Sequence, residues 1–254
     1  MRCRLALVVG LVAVAVLAAE PAKPDPKDQP KIIVAVPFGL TPGKPTKLLL
    51  RGLKLDEAAE IRLHDPKGSA KILSKGKAPV DAKEKEQLDR YGDTQMEIEA
   101  TPSADYPGPT VMLSVVTPAG ESPPHAVFVD REPVVHEKKP NNGFENAQPV
   151  GVGQTVEGVV NAASDVDVYR FDGKEGQRLV LEVFASRYGS PLDSLLTLYD
   201  ADGRIVASND DIDGTTDSRI ETTLPKSGAY YVSVVDANDG GGPNDVYRLV
   251  IRPK

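Results

Sequence analysis

The sequence predicts an all-β protein built as two β-sandwich domains in tandem. Short runs rich in β-branched and aromatic residues recur along the chain, and Gly, Pro, Asn or Asp closes nearly every one. A break at 132–142, rich in Pro, Asn and charge, splits the series in two. Helical periodicity is nearly absent. With 22 Gly, 22 Pro and 26% charged residues in 254, the composition is that of an ordinary globular chain, and each half is long enough to bury a core of its own.

Arg2 and Arg4 precede an apolar run over 5–19 that stops at Glu20. A charged start, an apolar middle and small residues at Ala18 and Ala19 have the form of a signal peptide, so 1–19 is expected to be removed after one of those alanines. The run is shorter than the roughly 20 residues of a spanning helix; an uncleaved membrane anchor is the alternative. After cleavage no membrane contact is expected, and the protein is placed outside the cytoplasm, secreted or periplasmic. Cys3, the single cysteine, leaves with the leader. The mature chain must then hold together without disulfides.

Residues 20–31, a Pro/Lys-rich stretch, read as an extended linker. In the first unit, 32–130, strands are expected at 32–36, 46–51, 61–64, 96–100, 110–117 and 126–129, parted by Pro42-Gly43, Pro66-Lys67-Gly68, Pro107-Gly108 and Ala119-Gly120. The stretch 81–91 has helix formers and almost no apolar face, so it is read as an exposed helical turn or loop. Residues 131–140 are expected to be a second linker.

The second unit, 141–254, is more sharply patterned, with strands expected at 166–171, 179–185, 195–199, 205–208, 220–224, 230–235 and 247–251. Tyr247, Leu249 and Ile251 fall on one face of the last strand and Arg248 and Arg252 on the other. Gly203 supplies the positive φ of a hairpin after Tyr199.

The net charge is −7, and residues 141–254 hold 18 acidic against 10 basic side chains. An acidic balance is the wrong sign for gripping phosphates, which excludes nucleic acid as a partner. Asp gathered in loops suits a hard divalent cation instead. The run Asn209, Asp211, Asp213 and Gly214 has the alternate oxygens and glycine bend that open a calcium loop, although Ile220 stands where a bidentate Glu is due. An acidic hairpin whose side chains bond their own backbone is the competing reading.

Five ordered blocks carry a resemblance: residues 141–147, NNGFENA; 165–171, DVDVYRF; 192–200, LDSLLTLYD; 208–211, SNDD; and 228–234, GAYYVSV. Together they resemble the bacterial pre-peptidase C-terminal domain over nearly all of 141–254, and are similar to the collagen-binding domains of clostridial collagenases. The resemblance implies a jelly-roll-like β-sandwich, of a kind appended to secreted peptidases and other exported bacterial proteins. Residues 32–130 resemble the immunoglobulin-like modules found beside such domains. The same resemblance implies a calcium site in which Glu137, Asn141 and Asn142, ahead of the first strand, meet Asp165 and Asp167. Here Asn142 replaces a common Asp, and Lys138 and Lys139 stand where a further acid might be expected. A hydrogen-bonded turn closed by Asn141 and Asn142 is the alternative.

Catalytic constellations are missing. His64, His125 and His136 lie outside zinc spacings, no GxSxG elbow occurs, and Ser190 has no histidine in its own unit. The expected function is a non-catalytic exported binding or accessory protein that attaches to an extracellular polymer, protein or cell-surface component, with calcium as its one cofactor. The alternative is an accessory or inhibitor-like partner of a separately encoded secreted peptidase. Tyr188, Tyr199, Tyr230, Tyr231 and Tyr247 are the aromatics available for a flat binding face, set against core and cross-strand pairing.

Overall fold

The structure is a computed structural model that describes residues 26–82 and 84–254. The expected signal peptide and the first half of the first linker, residues 20–25, lie outside the described residues. Two β-sandwiches follow one another along the chain. In the first, one sheet runs in the order Lys31–Val36, Thr46–Leu53, Thr94–Thr101, Ser69–Lys77. Its partner sheet runs Gly39–Leu40, His125–Val129, Thr110–Thr117, Glu60–Leu63, with Gly120–Glu121 closing a hairpin on Thr110–Thr117. Alternation is the cause: Leu48, Leu50, Met96, Ile98, Val111, Leu113 and Val115 point inward from facing strands and form one buried core.

The second sandwich pairs two five-stranded sheets. One is ordered Val135–His136, Thr155–Val159, Val246–Pro253, Arg178–Phe184, Arg219–Thr223. The other is ordered Gln148–Pro149, Asp167–Gly173, Gly228–Asp236, Ser194–Tyr199, Ile205–Asn209. Tyr169, Phe171, Leu181, Val183, Leu196, Leu198, Tyr230, Val232, Tyr247 and Leu249 fill the space between them. Of the stretch expected to be a helical turn or loop, Glu84–Gln87 forms a 3-10 turn and Leu88–Tyr91 a single helical turn. Among the described residues no helix is long and apolar enough to cross a membrane.

Two departures from the sequence reading lie where the sandwiches meet. The segment 131–140, read as a linker, contributes Val135–His136, which pairs in parallel with Thr155–Val159. The chain therefore enters the second sandwich before its expected start. Arg248, read as facing outward, is only 3% exposed. The face it occupies is covered by the first sandwich, and its guanidinium forks onto Asp130 at 2.8 and 2.9 Å while also pairing with Glu157. Burial opposes that charge, but the two carboxylates win and raise the Arg248 pKa.

Around this ion cluster the sandwiches share an apolar seam. Ile33, Val34, Phe38 and Val246 are buried there, with Phe128, Val159 and Tyr188 packed beside them. Phe128 and Tyr188 stack at 4.2 Å. Gly189 makes the approach possible: at φ +84°, a Cβ on it would lie 1.6 Å from the Ile33 carbonyl oxygen.

Candidate functional site

Two places in the second sandwich bring functional side chains together. The first is a cradle of carboxylates where the 135–141 segment crosses the start of Asp167–Gly173. Backbone bonds place the segment: Glu137 N–H donates to the Glu157 carbonyl and Val168 N–H donates to the Asn141 carbonyl, at 2.8 and 2.7 Å. Lys138 N–H donates to the Gln148 side-chain oxygen at 2.6 Å. The result is that Glu137, Asp165 and Asp167 converge, and the Lys139 ammonium lies among them. It meets Asp167 Oδ1 at 3.0 Å, Glu137 Oε1 at 3.1 Å and Asp165 Oδ2 more closely still.

The three carboxylates are almost buried, at 9, 7 and 0% exposure for Glu137, Asp165 and Asp167. Their other lone pairs take hydrogen bonds from within the fold. Val159 N–H donates to Glu137 Oε2 at 3.0 Å and Asn161 N–H donates to Asp165 Oδ2 at 2.9 Å. The Tyr247 hydroxyl donates to Asp167 Oδ2 at 2.7 Å and shares a 2.6 Å bond with the Tyr169 hydroxyl. Gly158 leaves room for that pair of hydroxyls, since a Cβ there would come within 2.5 Å of the Tyr247 oxygen. Burial, with Glu137 beside it, pushes the Asp167 carboxyl up, while the bonds from Tyr247 and Lys139 pull it back down. Burial also works against the Lys139 charge, yet the bonds to Asp165, Asp167 and Glu137 outweigh it and raise its pKa.

Of the residues that the sequence placed at this site, Glu137, Asp165 and Asp167 are brought together. Asn141 is fully buried nearby, with both side-chain polar atoms lacking a hydrogen-bond partner. Asn142 is exposed in the turn that follows. As a donor set the cradle offers the hard oxygens calcium takes. Its centre is filled by an ammonium, so a metal fits only if Lys139 withdraws.

At the second sequence-predicted place, the Asn209 amide accepts from Arg219 N–H at 2.7 Å and donates to the Asp211 carbonyl at 2.8 Å. Asp211 and Asp213 are exposed, on a bend closed by a bridge between Ile212 and Thr215. Asp217, just beyond, is buried and accepts from Ala185 N–H, Ser186 N–H and Arg187 Nε at 2.9, 2.6 and 2.5 Å. Among the described residues no group of three or more His, Cys, Asp or Glu side chains is open to a metal.

The second place is aromatic. Tyr199 and Tyr231 are opposite each other on neighbouring strands and point to the outer face of their sheet, half-buried. Phe144, from a 3-10 turn, lies over both, stacked on Tyr231 at 4.6 Å and edge-on to Tyr199 at 5.2 Å, with 40% of its own surface exposed. Tyr230 and Tyr247 point into the core and Tyr188 into the seam. Phe144 was missed as a member of this group by sequence reasoning. Its signal was an aromatic in the turn before a strand whose outward neighbours are also aromatic.

Hydrolase-like groupings are structural. The His64 ring bonds to Ser114, whose hydroxyl donates to Glu121 at 2.7 Å, so that serine proton is not held by the imidazole. Ser114 is also fully buried. The Ser190 hydroxyl donates to the Asn244 carbonyl at 3.3 Å.

The paired sheets, antiparallel but for one short parallel edge strand each, with a charged cradle at one edge and aromatic rings on an outer face, define a β-sandwich module. Residues 165–236 match the sequence model of the bacterial pre-peptidase C-terminal domain. Over 113 residues the chain is 37% identical to a probable subtilase-type serine protease of Deinococcus radiodurans, an alignment covering 43% of this chain. The chain spans 15% of that protein's length. Among solved structures it is similar to the pre-peptidase C-terminal domain of a Bacillus anthracis collagenase, at 17% identity and a TM-score of 0.33, covering 48% of this chain and 99% of the other. It is also similar to PliG of Aeromonas hydrophila, a periplasmic inhibitor of g-type lysozyme, at 16% identity and a TM-score of 0.31, covering 41% and 96%.

Proposed function

We propose that this is a non-catalytic exported attachment protein whose second sandwich holds an extended extracellular polymer or polypeptide against the ring cluster of Phe144, Tyr199 and Tyr231. The observation that carries this reading is the cluster itself. Three aromatic rings sit on the outer face of a sheet, where core packing does not require them, in a sandwich whose residues 165–236 match the bacterial pre-peptidase C-terminal domain. Flat, rigid rings give contact area at small cost in side-chain entropy, and a few such residues dominate affinity where they occur. The buried or internally bonded state of Ser114, Ser190 and His64 supports the absence of catalysis.

The test is retention of the mature protein on insoluble collagen, chitin, cellulose and the host envelope. Phe144→Ala and Tyr231→Ala are expected to weaken retention about tenfold or more, corresponding to ~1.4 kcal/mol, while lowering the melting temperature by only about a few degrees, so that both stay folded in the assay. Undiminished retention by both variants would reject the ring cluster as the attachment face.

One observation favours a second reading, in which the protein acts beside a secreted peptidase. The matching region of the D. radiodurans protein is a small part of a much longer probable protease. Co-purification of a peptidase from the growth medium, saturable and blocked by an excess of the purified protein, would support it.

A further inference from the structure

We propose that Lys139 is the resident cation of the Glu137–Asp165–Asp167 cradle, standing where a divalent metal would stand, so that the 135–141 strap is fastened to the second sandwich without calcium. The geometry leaves little choice. The ammonium is within 3.1 Å of all three carboxylates, and calcium bound to the same oxygens at about 2.3–2.6 Å would occupy the same space. Two cations cannot share it. The lysine reaches in from the surface, its side chain 31% exposed, while its partners are 0 to 9% exposed. Carboxylates so deeply placed demand a counter-charge, and a side chain of the same strap supplies it at an effective concentration no dissolved ion needs to match.

Asn141 adds an independent observation. Two residues beyond Lys139 its amide is fully buried with no partner for either polar atom. A buried amide left this way is uncommon. The Asn141 backbone carbonyl accepts from Val168 N–H, next to Asp167, so the strap brings an unsatisfied amide to the start of the strand that carries the cradle. The cradle is therefore an oxygen-rich cation site with a built-in occupant, and removing the occupant should turn it into a metal site.

Thermal melting in millimolar calcium and in chelator tests this. The wild-type protein is expected to melt at the same temperature in both. Lys139→Ser is expected to melt several degrees lower in chelator and to recover in calcium. The double variant Lys139→Ser with Asp167→Asn is expected to lose that recovery. Should Lys139→Ser fail to fold, reductive methylation of the wild-type protein in chelator decides. Lys139 is expected to react far more slowly than exposed lysines such as Lys44 and Lys174, with no change when calcium is added. A saturable rise of wild-type melting temperature with calcium, a Lys139→Ser protein indifferent to calcium, or Lys139 labelling as fast as the exposed lysines would each overturn the proposal.

Discussion

Asp245 lies in the cleft between the sandwiches, 7% exposed, and its carboxyl is pushed up to about 7, first by burial and then by the charge of Asp236. The sign of the consequence follows from linkage. A carboxyl whose folded pKa is raised above its ordinary 3.8 holds its proton more tightly when folded, so it favours the fold fully below that value and loses the advantage as pH climbs toward 7. Replacing Asp245 by Asn removes one ionisation. The variant is expected to gain on the wild type in melting temperature from pH 4 to 7, and parallel pH profiles for the two would contradict this. That Asp245 is special was not legible in the sequence. An Asp after a Gly-rich run reads as a turn, and only its burial beside Asp236 gives it a perturbed proton.

At the scale of elements, the strands of the second sandwich were legible because their apolar residues alternate and their turns are marked. The expected 230–235 and 247–251 appear as Gly228–Asp236 and Val246–Pro253. Ser69–Lys77 was missed because lysines at 71, 75 and 77 hide its pattern. It is an edge strand, where charge on the open side discourages pairing with other chains. Val135–His136 was missed for another reason. Two residues carry no periodicity, and this strand exists only because Thr155–Val159 offers an open edge. The cradle was half legible: three carboxylates were anticipated, whereas the lysine between them read as an interruption. The close approach of Gly189 to Ile33 yields an element-level prediction. Gly189→Ala forces a Cβ into a carbonyl and strains a left-handed backbone, and is expected to lower stability by at least ~1–2 kcal/mol. Urea denaturation checks it; an unchanged midpoint would show that the approach is loose.

For the whole molecule, the Arg248 cluster decides whether the two sandwiches behave as one body. Removing the guanidinium leaves Asp130 and Glu157, 17 and 11% exposed, facing each other across the seam. Breaking a buried pair in this way typically costs about 3–5 kcal/mol. Arg248→Ala is expected to split a single calorimetric transition into two and to enlarge the molecule in X-ray scattering. A variant that still melts in one step at the wild-type temperature would assign the coupling to the apolar seam alone. From sequence the two sandwiches were visible, but their contact was not. An outward Arg on a terminal strand looks solvated until the partner that covers it is known.

Because Val135–His136 is stitched into a sheet, the passage from one sandwich to the other offers almost no slack chain. What remains open is the short exposed turn at 131–133. Endopeptidases engage several residues of extended, detachable backbone, and a strand held by neighbours on a sheet does not yield them. A protein released among digestive enzymes would thus stay in one piece at the point where two-part chains are ordinarily cut.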